Sequence, residues 1–249
     1  MKTKPAHNIL FSTASIILLF IIWQLYSISV NNPTLMPTPN SVLQRILTMF
    51  CEKETYIILF TSLGRLFLSL IMATVLGVTF GLLSGTNDKI ESFFKPIIVT
   101  IRTLPVISII VVVLIIFGNV ITLYIISLLL IVPIIYQAEL DGIKNIDQSL
   151  IDILRLDTDN VNKVVVKKVY IPLSIPFLRS ALIDAVGLGF KVLVVAEYIA
   201  QTKVSIGRTI YMNKVNLDFT GVFAWTILLL LFVQIIEWVV ERSLKYNIN

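Results

Sequence analysis

Two residues of opposite charge, Asp184 and Lys191, lie within an apolar segment that is long enough to cross a lipid bilayer. Seven positions separate them, so an α-helix would place both on one face, two turns apart. Charges at membrane depth are costly and face protein or water. The pattern predicts either pairing with other helices or a polar lining for a pathway. The second interpretation extends to Glu197, near the end of the same segment.

Three further ionisable residues, Arg65, Arg102 and Glu237, lie at similar depth. Structural pairing or extension toward a helix end suits Arg65 and Glu237 best. Arg102 is followed closely by Pro105, and a proline inside a helix removes a hydrogen bond and bends the helix. We therefore predict a kinked helix with an arginine beside the kink. The candidates for a pathway or gate are Arg102, Pro105, Lys191 and Glu197.

The chain contains few of the residues that nucleophilic catalysis and metal binding require. It contains one histidine, His7, and one cysteine, Cys51, which is too few for a Cys/His metal cluster, an internal disulfide or a Ser/His/Asp set. The sequence also lacks the G-x-x-x-x-G-K-[ST] phosphate loop. We expect no enzyme activity and no cofactor. Transport against a gradient would then need an ion gradient or another subunit.

The elements that position these residues are predicted to be membrane-spanning helices. Hydrophobic residues make up 57% of the chain, charged residues 14%, and the mean hydropathy is +0.91, whereas about a quarter of the residues in a soluble domain are charged. The apolar runs lack the alternation of a membrane barrel. The predicted fold class is all-α, a polytopic membrane protein with six helices at 9–30, 57–85, 96–117, 119–136, 174–200 and 219–240.

The predicted organisation places one membrane helix before an outer segment and a five-helix core. Gly118-Asn119 is the only punctuation between the third and fourth helices, so a tight hairpin is expected there. We expect the first helix to remain as an uncleaved anchor, because its apolar run is long for a signal peptide. The divisions are 1–30 for the N-terminal segment and first helix, 31–56 for an amphipathic segment, 57–240 for the core and 241–249 for the tail.

The distribution of lysine and arginine predicts the orientation of the chain. These residues are concentrated in the loops that the topology places inside, which favours a cytoplasmic location for both termini. The net charge of +5 is explained by this inner-face excess. It does not indicate binding to nucleic acid.

Small residues recur every four positions along the second predicted helix. Such a ridge lets two helix backbones approach closely in lipid, where association depends on packing. We predict a packing surface, and a surface that slides during opening and closing is the alternative. The ridge consists of Ser69, Ala73, Gly77, Gly81 and Gly85.

The longest polar stretch, 137–168, lies between the fourth and fifth predicted helices. Within it, apolar residues are spaced for a short amphipathic helix, and turn residues follow. A second amphipathic piece, 161–170, leads to Pro172. An exposed helix with an apolar face must bury it against the membrane surface or a partner. The apolar residues are Leu150, Ile151, Ile153, Leu154 and Leu156.

A series of motifs runs through most of the chain, from about Met36 to Glu237. In order they are MPTPNSVLQRI, SLGRLFLSL, GVTFGLLSG, FFKPIIVTIRTLPVISI, VYIPLSIPFLRSAL, VGLGFKVLVVAEYIAQTKVSIGRTIY and DFTGVFAWTILLLL. Each is weak alone, but together they resemble the membrane-spanning permease subunits of type I, binding-protein-dependent ABC importers. The likeness is closest to the nitrate, sulfonate and taurine branch, which includes permeases for thiamine precursors.

The signature loop of that family reads E-A-A, three residues, glycine, nine residues, I-x-L-P. Placing its Leu-Pro on Ile171-Pro172 puts its glycine on Asp159, a residue type that tolerates left-handed geometry. The spacing and the proline are kept, whereas the acid, both alanines and the glycine are replaced. The resemblance implies a coupling helix over 152–160. Its contacting residues would be Asp152, Ile153, Leu154, Arg155, Leu156, Asp157 and Asp159, with Pro172 following.

The resemblance also implies partners and a mechanism. Two permease chains, expected to form a homodimer, would enclose the pathway within the lipid bilayer of the cell membrane. Cytoplasmic ABC ATPase subunits would grip the coupling loop 137–173, and an extracellular solute-binding protein would deliver the solute. That solute would be small and anionic or heterocyclic, such as a sulfonate, taurine, nitrate or a thiamine-precursor pyrimidine.

Two other interpretations remain open. A secondary transporter or channel could use Asp184, Lys191 and Glu197 as a proton or ion relay, and inverted repeats would favour it, but no convincing internal repeat is visible. A membrane scaffold that only recruits a cytosolic partner is the third possibility. The order of the motifs argues against it.

Overall fold

Helices dominate the part of the chain that the computed structural model describes, residues 5–147 and 165–246, and no strand occurs within those ranges. The all-α prediction is confirmed. A π-helical turn, Val166–Tyr170, leads directly into the sixth helix. The helices, numbered in chain order, are α1 (Pro5–Val30), α2 (Pro39–Met49), α3 (Lys53–Thr86), α4 (Asp88–Thr103), α5 (Val106–Lys144), α6 (Ile171–Ala200), α7 (Ile206–Val215) and α8 (Phe219–Tyr246).

By length and composition, four helices of the described chain could cross a membrane. Three of them coincide with predicted spans, in α1, α3 and α8. The other predicted spans are placed differently, so a total of six is not confirmed. The stretch 119–136 lies within α5 together with part of 96–117, and 174–200 lies in α6, which carries four charged residues and is not among the four candidates. The candidate spans are Thr13–Val30, Lys53–Thr86, Val106–Lys144 and Phe219–Arg242.

The predicted helix at 96–117 is wrong, because the chain divides there into two helices. α4 ends at Thr103, and Leu104 and Pro105 are extended, with ψ angles of 137° and 113°. Proline disfavours the helical region for the residue before it, and Leu104 adopts the extended conformation that ends α4. Pro105 therefore separates two helices instead of kinking one. Arg102 lies in the last turn of α4 and is exposed, not beside a kink inside a membrane span.

At the position of the predicted tight hairpin, Gly118, the structure has a kink within α5. Gly118 has φ of 74° and ψ of 178°, and two helical segments meet there at a kink. A side chain would disfavour this positive φ, whereas glycine adopts it readily. The Oγ1 of Thr122 donates to the carbonyl of Gly118 at 2.6 Å.

The predicted amphipathic segment contains α2. Thr38 caps this helix, its Oγ1 accepting from the N–H of Ser41 at 3.2 Å, and Pro39 occupies the first turn. Val42, Ile46 and Met49 recur at helical spacing and are buried toward α8. α2 therefore closes one end of the bundle with its apolar face.

The small-residue ridge of α3 packs on α5, as predicted. A Cβ on Gly77 would collide with Ile135, one on Gly81 with Glu139, and one on Gly85 with Ile143. The partners advance by four positions in step, so α3 and this part of α5 run parallel and their backbones nearly touch. Close packing of this kind is what small residues make possible.

α6 runs against both of these helices. Gly189 lies against Ile131 of α5 and Leu66 of α3, whereas Gly142 of α5 lies against Ser174 near the start of α6. One end of the bundle therefore gathers the start of α3 and the end of α6. The opposite end gathers the ends of α3 and α5, the start of α6, and both stems of the segment 148–164.

Gly81→Ala is expected to destabilise the fold by about 1–3 kcal/mol, since its Cβ would lie 2.8 Å from the carbonyl oxygen of Tyr136, a backbone atom that cannot move freely. The measurement is the free energy of unfolding in detergent micelles. Gly64→Ala on the same helix is the matched control, because its Cβ meets nothing within 4 Å and alanine favours helix. Equal stabilities for the two variants would contradict the packing of α3 on α5.

Candidate functional site

α6 continues directly from a π-helical turn and has a defined end. Pro172 lies in its first turn, just after the π-helical turn Val166–Tyr170, and Tyr170 and Ile171 already have helical backbone angles. At the other end, Gln201 adopts the left-handed conformation (φ 52°, ψ 41°), and its N–H donates to the carbonyl of Glu197 at 2.9 Å. The Gln201 turn sends the chain sharply back toward α7. The end of α6 is therefore fixed by local structure.

One narrow face of α6 is open, while most of the helix surface is buried. Over 181–200 the exposed positions recur at intervals of three or four residues, so they form one line along the helix. Every other position in that stretch is buried or partly buried. The line continues for two more residues toward the start of the helix. The open face of α6 consists of Phe177, Ser180, Asp184, Leu188, Lys191 and Val195.

Asp184 and Lys191 share this open face, as their spacing predicts. Neither makes a hydrogen bond or ion pair with another residue in the described ranges, so the expectation that each meets another helix of the same chain is not met there. An unpaired charge toward acyl chains costs about 2.5–3.5 kcal/mol or more at the centre of a membrane helix. The open face of α6 is therefore suited to water or to another protein surface, not to lipid.

Glu197 lies off the open face, in a buried network at the end of α6. Its side chain is fully buried and its Oε1 lies 2.8 Å from Nη1 of Arg65 on α3. Ser62, one turn earlier on α3, donates through Oγ to both carboxylate oxygens at 2.8 and 3.0 Å. The N–H of Gly207 donates to Oε2 at 3.2 Å. The carboxylate is thus held by three groups from two other helices.

The same network fastens the loop between α6 and α7. The guanidinium of Arg65 donates to the carbonyls of Lys203 and Val204, each at 3.2 Å. Gly207 sits so close to α6 that a Cβ there would collide with the backbone of Val194 and Tyr198. The network, formed by Ser62, Arg65, Glu197 and Gly207, therefore locks α3, α6 and the start of α7 together. Its position suits a rigid joint, and the predicted role of Glu197 as a gate stays a prediction.

Arg102, in the last turn of α4, and Pro105, on the connection between α4 and α5, are both exposed. Arg102 lines a small cavity of about 190 Å³ together with Glu91, Lys95 and Lys144. Nζ of Lys144 lies 2.6 Å from Oε1 of Glu91, so the cavity carries charges of both signs. The structure brings neither Arg102 nor Pro105 together with Lys191.

The predicted coupling residues from Asp152 to Asp159 lie outside the described residues. The two stems of that segment are described, and they are anchored. Ile146 at the end of one stem and Tyr170 at the start of the other are buried in one apolar cluster with Ile143. Leu82 of α3 packs against the same cluster. The two stems are therefore packed together against the end of α3.

Sequence reasoning missed Glu139, a buried carboxylate on α5. Its side chain is fully buried, packed against Gly81, and its oxygens have no well-formed hydrogen bond to the described chain. Ser174 of α6 lies nearby, but its Oγ donates instead to the carbonyl of Ile171 at 3.1 Å. Glu139 lies four residues before Ile143, on the face of α5 that meets the small-residue ridge. This spacing was the sequence signal that could have indicated its burial.

Comparison with known proteins gives a consistent result. The family described as binding-protein-dependent transport system inner membrane component matches residues 77–244, which is more than half of the chain. The chain is 27% identical over 195 residues to the taurine transport system permease protein TauC of Escherichia coli, covering 75% of this chain and 70% of that protein.

Two further relatives differ in what their names say they carry. Identity is 24% over 224 residues to the bicarbonate transport system permease protein CmpB of Synechococcus elongatus, covering 82% of this chain and 77% of that protein. It is 27% over 105 residues to the formylaminopyrimidine transport permease protein ThiX of Halalkalibacterium halodurans, covering 42% of each chain. The relatives therefore agree on the type of subunit and not on the solute.

Proposed function

The chain belongs to the family of binding-protein-dependent transport system inner membrane components, and from that membership we propose that it encloses the solute pathway of an importer powered by a separate ATPase. The resemblance drawn from its motifs is confirmed. The chain is a membrane-embedded ABC importer permease, a transport subunit and not itself an enzyme.

The open face of α6 is the observation that supports the pathway most directly. It carries two unpaired charges along a helix whose other faces are covered over residues 181–200, which is the pattern of a helix beside a water-filled route. We propose that two copies of the chain assemble as a homodimer with these faces toward each other. The solute would pass between them.

The energy would enter through the segment between α5 and α6. We propose that 152–160 forms a coupling helix, with Leu154 at its centre, that inserts into a groove on a cytoplasmic ABC ATPase. Closure of the two ATPase subunits would pull both coupling helices together. The packing of both stems in one apolar cluster, at Ile146 and Tyr170, supports this route, because it connects the segment to the helix bundle. The ATPase would shift the permease between two states by contacting the segment differently in each.

The orientation follows from the distribution of basic residues. We place both termini and the coupling segment in the cytoplasm, and the network around Glu197 at the outer end of the bundle. An extracellular solute-binding protein would dock at that outer end and release its cargo there. The cargo would be a small anionic or heterocyclic solute, since the relatives include permeases named for taurine, bicarbonate and formylaminopyrimidine.

Purification of the tagged chain in mild detergent tests the assembly. We expect it to retain a soluble protein that carries the nucleotide phosphate loop which this chain lacks, and the purified complex to hydrolyse ATP. A chain that is stable, monomeric and free of any such subunit under conditions that preserve other importers would contradict the proposal.

Lys191→Ala is expected to reduce ATP-driven uptake by about tenfold or more, because a charge in a confined pathway raises the local concentration of a complementary solute. Assembly with the ATPase, followed by size-exclusion chromatography, should be unchanged. Lys191→Arg keeps the charge and should retain most of the uptake. Full uptake by Lys191→Ala would remove this residue from the pathway.

A further inference from the structure

We infer that the pathway selects for solutes that carry a negative charge, and that Lys191 from each copy of the chain forms the recognition point for that charge. This inference rests on the proposed function, since it requires two copies to face each other through α6. It goes further by assigning a solute class to one residue. Three properties of the open face support it: its symmetry in a dimer, the axial spacing of its charges, and the absence of a free neutralising acid beside Lys191 on α6.

Symmetry places equal charges at equal depth. A two-fold axis along the membrane normal brings Lys191 of one copy level with Lys191 of the partner, and Asp184 level with Asp184. Like charges that face each other without a partner disfavour direct packing of the two helices. The two open faces would therefore stay apart with water between them, each level carrying charge of one sign.

The two levels cannot neutralise each other. Seven residues of helix separate Asp184 from Lys191, which corresponds to about 10 Å along the axis. That distance exceeds the reach of an ion pair, and the structure records none between them. Each level therefore presents its own charge to a solute in the pathway.

Glu197 would be the nearest acidic residue to neutralise Lys191 on the same helix, and it is already occupied. Its carboxylate is fully buried, pairs with Arg65 at 2.8 Å and accepts from Ser62 and Gly207. Lys191 is therefore the unpaired charge that lies between Asp184 and the network around Glu197 along α6. A solute that enters from the network end meets the cationic level first, which attracts a carboxylate, a sulfonate or another anionic group.

The single cysteine of the chain makes a direct test possible. In a Cys51→Ser background, Val195→Cys places a thiol on the open face one turn from Lys191, and Ala196→Cys places one at a fully buried position beside it. The full chain, assembled with its partners in membrane vesicles, is treated with two methanethiosulfonates, anionic ethylsulfonate and cationic ethyltrimethylammonium. The native, exposed Cys51 supplies the intrinsic ratio of the two reaction rates.

We expect Val195→Cys to react with both reagents, with an anionic-to-cationic rate ratio about tenfold above that of Cys51. Lys191→Gln should bring the ratio close to that of Cys51, and Lys191→Glu should reverse the preference. Asp184→Asn should change the ratio little, because Asp184 lies about three turns from position 195.

The outcomes separate this inference from the function on which it rests. A reactive Val195→Cys whose ratio is unaffected by Lys191→Glu would overturn the assignment of anion recognition and leave the pathway in place. If Val195→Cys reacts no faster than Ala196→Cys while Cys51 reacts normally, the open face is not in contact with water, and both the pathway and the inference fail.

Discussion

Arg65→Ala is expected to lower the free energy of unfolding by about 3–5 kcal/mol, because it leaves the buried carboxylate of Glu197 without its only cationic partner in the described chain. The loss of one partner from a buried pair costs more than the pair contributes, since the remaining charge stays out of water. The variant also removes the two hydrogen bonds that hold the carbonyls of Lys203 and Val204. The measurement is unfolding in mixed detergent micelles.

A surface ion pair on the same chain supplies the control. Arg45 and Glu52 lie 2.8 Å apart with side chains 38% and 45% exposed, against 13% and 0% for Arg65 and Glu197. Arg45→Ala is therefore expected to cost less than about 1 kcal/mol. The double variant Arg65→Ala, Glu197→Gln should recover part of the loss, because it removes the stranded charge. A single variant at Arg65 no less stable than the one at Arg45 would contradict a structural role for the network.

Leu154→Asp is expected to abolish ATP-driven uptake while the chain itself remains folded. On our proposal the segment 152–160 would bury its apolar face in a groove on the ATPase, and an unpaired carboxylate in that groove would weaken the complex strongly. Folding should be preserved, because the described stems of the segment are anchored by Ile143, Ile146 and Tyr170. Uptake and retention of the ATPase on purification are the two measurements.

Ser149→Asp is the matched control for this prediction. It adds the same charge to the same segment, at a polar position before the apolar run. Binding of the ATPase and uptake should both persist in that variant. Equal loss in both variants would indicate a general effect of charge, and full activity of Leu154→Asp would place the coupling surface elsewhere.

The sequence carried enough information to predict the packing of α3 and the line of charge on α6, because both depend on spacing within one helix. The small-residue ridge meets α5 at Gly77, Gly81 and Gly85. Asp184 and Lys191 lie on one face. The covering of the other faces of α6 over residues 181–200 depends on its neighbours, and no pattern within the helix itself could reveal it.

Two features could not be predicted because they depend on non-local contacts or on backbone geometry that hydropathy ignores. Arg65 and Glu197 are both visible as charges at membrane depth, but their sequence separation of 132 leaves their pairing undetermined, and the local pattern favours a helix end for Arg65. The run at 96–117 is apolar through Pro105, yet the proline restricts Leu104 and ends α4.

The remaining competing account is a transporter that draws on an ion gradient through Asp184 and Lys191. It differs from an ATP-driven importer in the source of energy. An importer permease of this family would need its ATPase, whereas a secondary transporter would need only the gradient and the chain.

The most direct measurement is solute accumulation in liposomes that contain the purified chain, with and without the ATPase and the binding protein that co-purify or are encoded with it. We predict that accumulation requires all components and ATP, and that no imposed proton or sodium gradient replaces them. Accumulation by the chain alone, driven by an ion gradient, would contradict the assignment as an ATP-driven importer permease.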